Sequence, residues 1–401
     1  MQALPNKLIG PLIVLLLLTT AISGCFSTDN HESDERDGFT QEDLLRSIPQ
    51  AYEPTSSILD QEPTINTSRH RSVSNIVAIW YFEKNAVYKE YGGIINLVIK
   101  NNWTFSIFIY KIGIRPEWSD RFMAQERGFF AETGKYIAPG EEQNVGMVRF
   151  PGPDKTGVFD YDILFYLLLQ NETGSWNDCG LQEAKGKSFS VITLPAVNDY
   201  KQHYNLAQYY DKINDIVDPT ESSVYNLSHK IAAKFAGAYN IYQTCAVFDY
   251  VAKNIKYFSD PSNTENYWCT PEQTIMFGGD CEDHSTLLAS MVISLGGAVR
   301  MYMTDSHAFI GLYAGDDSNI DDVISDIQDY YRTDVNLYFL KDRLGYWLMM
   351  DSIGSTYLGG LPLGAVPVRE SDAGVDSSTG VGWSWGFTET ENLFITDVIP
   401  S

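Results

Sequence analysis

Three residues in this 401-residue chain could together carry nucleophilic chemistry: Cys281, His307 and Asp351. Cys281 follows Gly278-Gly279-Asp280 and precedes Glu282-Asp283-His284-Ser285. The glycines mark a turn, and from Thr286 onward Leu287, Leu288, Met291, Val292 and Leu295 recur at helical spacing. The cysteine therefore stands at a helix start, where unpaired N–H groups and the helix dipole favour a thiolate and can receive an oxyanion. Asp280, Glu282 and Asp283 work against that depression of the thiol while suiting a first helical turn, so the net sign is not fixed by sequence. The alternative for this stretch is a buried structural cysteine behind a glycine turn.

His307 lies between two runs of strand character, residues 299–304 and 308–313, and Asp351 closes a later run at 346–350. Thiol, imidazole and carboxylate in that setting are the parts of a Cys-His-Asp triad. The thiolate attacks an acyl carbon, the imidazole takes and returns protons, and the carboxylate fixes the tautomer. Adjacent strands lie only about 4.8 Å apart, so the order helix, strand, strand can bring the three together. Asp305, two residues before the histidine on the same strand face, is the substitute carboxylate. His284 follows Cys281 too closely on the helix to be its base and reads as a packing or surface residue. Residues 317–321 mimic the start of a calcium loop, but Asp322 stands in place of the glycine and Gln328 in place of the bidentate glutamate. No metal cluster, phosphate loop or cofactor is expected.

The segments Gly279-Asp280-Cys281-Glu282-Asp283-His284-Ser285, His307-Ala308-Phe309 and Tyr346-Trp347-Leu348-Met349-Met350-Asp351 resemble the transglutaminase-like superfamily of papain-type cysteine acyltransferases. The upstream stretch Val247-Phe248-Asp249-Tyr250-Val251 with Ile255-Lys256-Tyr257 is similar to that family's lead-in. The resemblance covers roughly residues 225–355 and implies catalytic roles for Cys281, His307 and Asp351 only. Phe309 departs from the tryptophan usual in the family, and the acidic insertion at about 314–340 lengthens the gap from His307 to Asp351. The implied activity is acyl transfer or amide hydrolysis through a cysteine thioester, on a protein or peptide substrate. Peptidase, amidase and cross-linking chemistry stay open.

The elements around these residues divide the chain. Lys7, the apolar run at 8–18 and Ile22-Ser23-Gly24-Cys25 read as a secretory leader. The last four residues resemble a prokaryotic lipobox, which implies lipidation of Cys25 and a protein anchored by lipid to the outer face of the cell membrane. The apolar run is shorter than the roughly 20 residues a spanning helix needs. Residues 26–71 are polar and read as a disordered tether. From 72 to 196, short β-branched and aromatic runs between Asn-Asn and Pro-Gly turns predict an antiparallel, immunoglobulin-like β-sandwich with an accessory role. Residues 197–365 form the transglutaminase-like (papain-like) domain, giving an α+β fold class. Residues 366–401, rich in Gly and Ser, read as an irregular extension.

Composition narrows the partners. A net charge of −24 with no basic block argues against nucleic acid and against anionic membrane surfaces, and is first a solubility device. The apolar fraction of 44% and the 25 Tyr, 20 Phe and 8 Trp belong to a folded, β-rich protein with surface for binding peptide or sugar. If Cys281 stays free, at most one disulfide forms among Cys179, Cys245 and Cys269, with Cys245–Cys269 the first pairing to try. A non-catalytic binding lipoprotein, using the sandwich for recognition and the second domain as a scaffold, is the competing function.

Overall fold

The computed structural model describes residues 48–52, 60–68, 75–83, 87–121, 127–198, 201–260, 267–368, 382–390 and 392–399. The leader with Cys25 and the tether up to residue 47 lie outside the described residues. Those described build a mixed α/β protein, mostly of strands, with six α-helices among them.

The N-terminal unit is a two-sheet sandwich. Strands β2 (Ile76–Phe82), β4 (Gly93–Asn101) and β7 (Glu142–Phe150) form an antiparallel three-stranded sheet with β4 in the middle. Opposite stand β1 (Ile65–Ser68), β5 (Ile107–Pro116), β6 (Phe129–Ile137), β8 (Gly157–Gln170) and β9 (Trp176–Ile192), in the order β1-β9-β8-β5-β6, with β3 (Val87–Tyr88) also on β9. Alternation drives the packing: Ile95, Leu97 and Ile99 from one sheet meet Ile107, Ile109, Ile112, Ile163, Phe165 and Leu167 from the other, all buried. Burying such a side chain contributes about 1.5–3 kcal/mol, so this core holds the unit together without a disulfide.

The second unit sets helices against a seven-stranded sheet. Its strands are β10 (Lys201–Tyr204), β11 (Val299–Met303), β12 (Ala308–Gly315), β13 (Phe339–Asp342), β14 (Gly345–Met350), β16 (Gly382–Trp383) and β18 (Asn392–Asp397), in the order β10-β18-β11-β12-β14-β13-β16. A short pair, β15 (Ala365–Pro367) with β17 (Trp385–Phe387), stands apart from it. The helices are α1 (Ala207–Ile216), α2 (Ser222–Ala232), α3 (Ile241–Asn254), α4 (Pro271–Phe277), α5 (Cys281–Ser294) and α6 (Ile320–Tyr331).

Every residue of β11 and β12 is buried. One face carries Met301, Met303, Ile310 and Leu312 into the helical core, while the other carries Tyr302, Phe309 and Tyr313 into an aromatic layer with Trp347, Trp385 and Phe387. Covered on both faces, these strands read as continuous apolar runs rather than alternating ones.

Three sequence expectations are corrected. The polar segment before residue 72 is not wholly a free tether: the Tyr52 ring packs against Phe235 and Tyr242, and β1 pairs in parallel with β9. The C-terminal extension is not irregular cover, because β18 lies between β10 and β11 and Trp385 is fully buried. Cys245 and Cys269 form no disulfide. Cys179, Cys245, Cys269 and Cys281 are all free, with Cys245 buried in the helical core and Cys269 against Asp283.

Candidate active site

The site sits where α5 meets the start of β12. Thr270 and Pro271 start α4 with a capping box through Gln273, and Gly278 ends it with φ 83°. A side chain at Gly278 would collide with the Lys256 carbonyl, its Cβ falling 2.2 Å from that oxygen. Only glycine fits this turn. Gly279 then pairs with residues 256–258: its N–H donates to the Lys256 carbonyl at 3.1 Å, and the Phe258 N–H donates to its own carbonyl at 2.9 Å. The turn thus fixes where α5 begins, with Cys281 as its first residue.

Asp283 closes the helix start. Its Oδ2 accepts from the Asp280 N–H at 3.2 Å and its Oδ1 from the Cys269 N–H at 2.7 Å, tying the preceding loop to α5.

His307 and Asp351 come together as the sequence predicts. His307 Nε2 donates to Asp351 Oδ2 at 2.7 Å, and both side chains are buried. Asp351 also accepts from the Leu363 N–H at 2.8 Å and from the Ile353 N–H at 2.9 Å. Burial alone would raise this carboxyl, but His307 and the two backbone donors outweigh it and hold the group below the usual carboxylate range. Asp305, the substitute, is exposed and faces the Asn392 amide at 3.4 Å. The long insertion does not disturb the pair, because β14 lies directly beside β12 and Ile310 faces Met350. Phe309 lies in the aromatic layer, stacked on Tyr302 at 5.5 Å and near-parallel to the His307 ring at 5.9 Å.

The Cys281 thiol lies against the backbone N–H of Ala308, the residue after His307, which favours its ionised form. His307 has committed Nε2 to Asp351, so Nδ1 is the ring nitrogen free to exchange a proton with a thiol.

The electrostatics of the thiol, left unsigned by the sequence, are now signed: burial pushes it well above the ordinary thiol range. Glu282 adds to this by charge and by accepting from Sγ at 3.1 Å, and Asp280 adds by charge. At rest the cysteine is a neutral thiol.

Asp280 itself is pushed up, first by burial and then by the charge and hydrogen bond of Glu282. Its Oδ1 is buried without a hydrogen-bond partner among the described residues. Asp280, Cys281 and Glu282 offer one ligand atom each within 4.8 Å of one another, and they are the group that could hold a cation here.

Two features of the site lie beyond what the sequence shows, the inward turn of Glu282 and the setting of Asp249. Glu282 looks like an ordinary first-turn acid, and nothing in its spacing says that it turns inward onto the thiol. His284 takes the packing role of the two that the sequence left open: it is buried, and burial lowers its pKa. Its Nδ1 pairs with Ser352 Oγ at 3.0 Å and its Nε2 with the Lys256 carbonyl at 3.5 Å, so it links the turn to the residue after Asp351. Asp249 has no sequence signal beyond its place on α3. It receives the hydroxyls of Tyr330 at 3.0 Å and Tyr331 at 2.9 Å, and burial pushes it up to about 7. It lines a cleft of about 910 Å³ between the sandwich and the helices that reaches Ser352 and Ile353.

No family model matches the chain, and no curated protein matches it. Among solved structures, the PapD-like domain 7 of human CEP192 is 10% identical with a TM-score of 0.17, over 36% of this chain and 99% of that one. Native alpha-2-macroglobulin from Escherichia coli, domain MG7 to the C-terminus, is 12% identical with a TM-score of 0.18, over 46% of this chain and 29% of that one. Bacteroides uniformis beta-glucuronidase 2 is 9% identical with a TM-score of 0.18, over 50% of this chain and 22% of that one. Scores of this size assign no family.

Proposed function

We propose that the chain is a transglutaminase-like cysteine enzyme that hydrolyses or transfers acyl groups at amide bonds, held outside the cytoplasm by a lipid on Cys25. The observation that carries this reading is the buried His307–Asp351 pair beside a helix that begins with Cys281. In the reaction, His307 Nδ1 takes the thiol proton as Sγ attacks the acyl carbon. Asp351 steadies the imidazolium through Nε2. The N–H groups at the start of α5 receive the developing oxyanion. The imidazolium then protonates the leaving amine, and water or a second amine resolves the thioester, which gives hydrolysis or cross-linking respectively.

One observation favours a second reading, a binding lipoprotein on an enzyme-like scaffold: Glu282 holds the thiol in its protonated form. The rate of Cys281 alkylation by iodoacetamide from pH 6 to 10, in the protein lacking residues 1–25 and in its His307→Ala variant, separates the two. A fall of about a hundredfold in the variant supports general-base catalysis. Equal rates overturn the enzyme reading and leave the scaffold.

A further inference from the structure

Four bulky apolar side chains stand exposed around the turn that sets Cys281: Tyr257 at 48%, Phe258 at 55%, Met276 at 58% and Phe277 at 68%. Single exposed apolar residues are ordinary, but a contiguous group marks a contact surface. Contiguity follows from the backbone. Met276 and Phe277 end α4 immediately before Gly278, Tyr257 forms an isolated bridge with Gly279, and Phe258 follows it. The Phe258 ring lies over Gly278, its Cδ2 2.9 Å from where a Cβ would stand. Tyr257 reaches towards the nucleophile's own helix, its ring 6.4 Å from that of His284. The patch therefore surrounds the glycine turn that immediately precedes Cys281.

We infer that this patch is a substrate subsite, taking a bulky apolar side chain from a peptide whose neighbouring acyl group is delivered to Cys281. The inference rests on the proposed enzymatic reading and names its substrate class: peptide segments with an aromatic or large aliphatic residue beside the reacting one. Three features select this occupant. The patch surrounds the turn that leads into Cys281, and Tyr257 lies near enough to the thiol for the two to interact electrostatically. The carboxyl groups of Glu282 and Asp283 stand in the first turn of the helix that Cys281 begins, which disfavours an acidic segment. The chain's net charge of −24 disfavours an anionic lipid surface as the occupant.

The test uses two peptidyl chloromethyl ketones that differ only in a Phe or a Ser next to the reacting residue. In each, Sγ forms a bond to the methylene carbon, chloride leaves, and the thiol proton passes to His307. The Phe reagent is expected to inactivate the protein about tenfold faster than the Ser reagent. The ratio should fall towards one in Phe258→Ser and Phe277→Ser, changes at exposed positions that cost the core nothing.

No preference in the wild-type protein, or a preference that survives both substitutions, overturns the inference. So does concentration-dependent dimerisation abolished by Phe277→Ser, which would assign the patch to a second copy. Binding to zwitterionic vesicles lost in the same variant overturns it in favour of lipid. Failure of the enzyme reading is seen separately, as alkylation that ignores His307, because the ratio between the two reagents is referenced within each variant.

Discussion

Nε2 of His307 and Oδ2 of Asp351 stand 2.7 Å apart in a buried pocket, although 44 residues separate them in the chain. The carboxylate accepts two backbone N–H groups besides the imidazole, so its position is set by the loop that follows β14 as much as by the histidine.

Asp351→Asn is therefore expected to lower the rate of Cys281 alkylation by about a hundredfold, as loss of His307 does, because the wrong tautomer is held. It also changes the acid limb of stability. The folded carboxyl lies below its unfolded value of about 3.9. Its contribution is thus fully present above about pH 4 and is lost as pH falls through the lower folded value. Urea midpoints measured from pH 2 to 6 should fall less steeply in the variant than in the wild type.

Glu282→Gln removes the nearest charge and the charged acceptor of the Sγ proton. The thiol's pKa falls, and alkylation at pH 7.5 should rise, by roughly tenfold for each unit of the fall. A rate below that of the wild type would mean that Glu282 assists proton transfer instead of restraining it.

Asp249 provides a pH probe away from the thiol. Its carboxyl titrates near 7 when folded and near 3.8 otherwise. Between those values the folded state holds a proton that the unfolded chain has released, so stability declines as pH rises from about 4 to 7. Asp249→Asn should flatten that slope in denaturant melts, and an unchanged slope would show that the two tyrosines keep the group ionised.

Arg300 is buried between two carboxylates, with Nε 2.5 Å from Asp397 Oδ1 and Nη1 2.6 Å from Asp342 Oδ2, and its guanidinium lies 3.9 Å over the Trp347 ring. Arg300→Leu removes the cation that Asp342 and Asp397 share and should cost about 3–5 kcal/mol. A loss below about 1 kcal/mol in denaturant titration would mean that water reaches both carboxylates.

The positions of Cys281, His307 and Asp351 were legible because each sits at an element boundary that periodicity marks: a glycine turn before Cys281, the gap between β11 and β12 at His307, and the end of β14 at Asp351. What was not legible depends on facing surfaces. The inward turn of Glu282 is decided by the packing of α5 against β12, and no spacing records it. Strand β18 carries Leu393 and Ile395 in alternation, but it follows a Gly- and Ser-rich stretch whose composition masks it. Strand β6 is interrupted in sequence by Glu132, Thr133 and Gly134, and is held by register with β5 rather than by its own propensity.

The place of β18 also sets the order of assembly. Residues 299–303 find one neighbour, β12, almost at once, but their other neighbour arrives only after some ninety more residues, when Asp397 pairs with Arg300. Until then β11 presents a bare hydrogen-bonding edge, all of its side chains made to be buried, which invites pairing with other chains. A nascent or truncated chain ending before residue 392 therefore carries Cys281 beside an unpaired sheet edge. Productive closure of this domain is a late, long-range event, and a chaperone that shields that edge would raise the yield of folded protein more than one that acts on the sandwich.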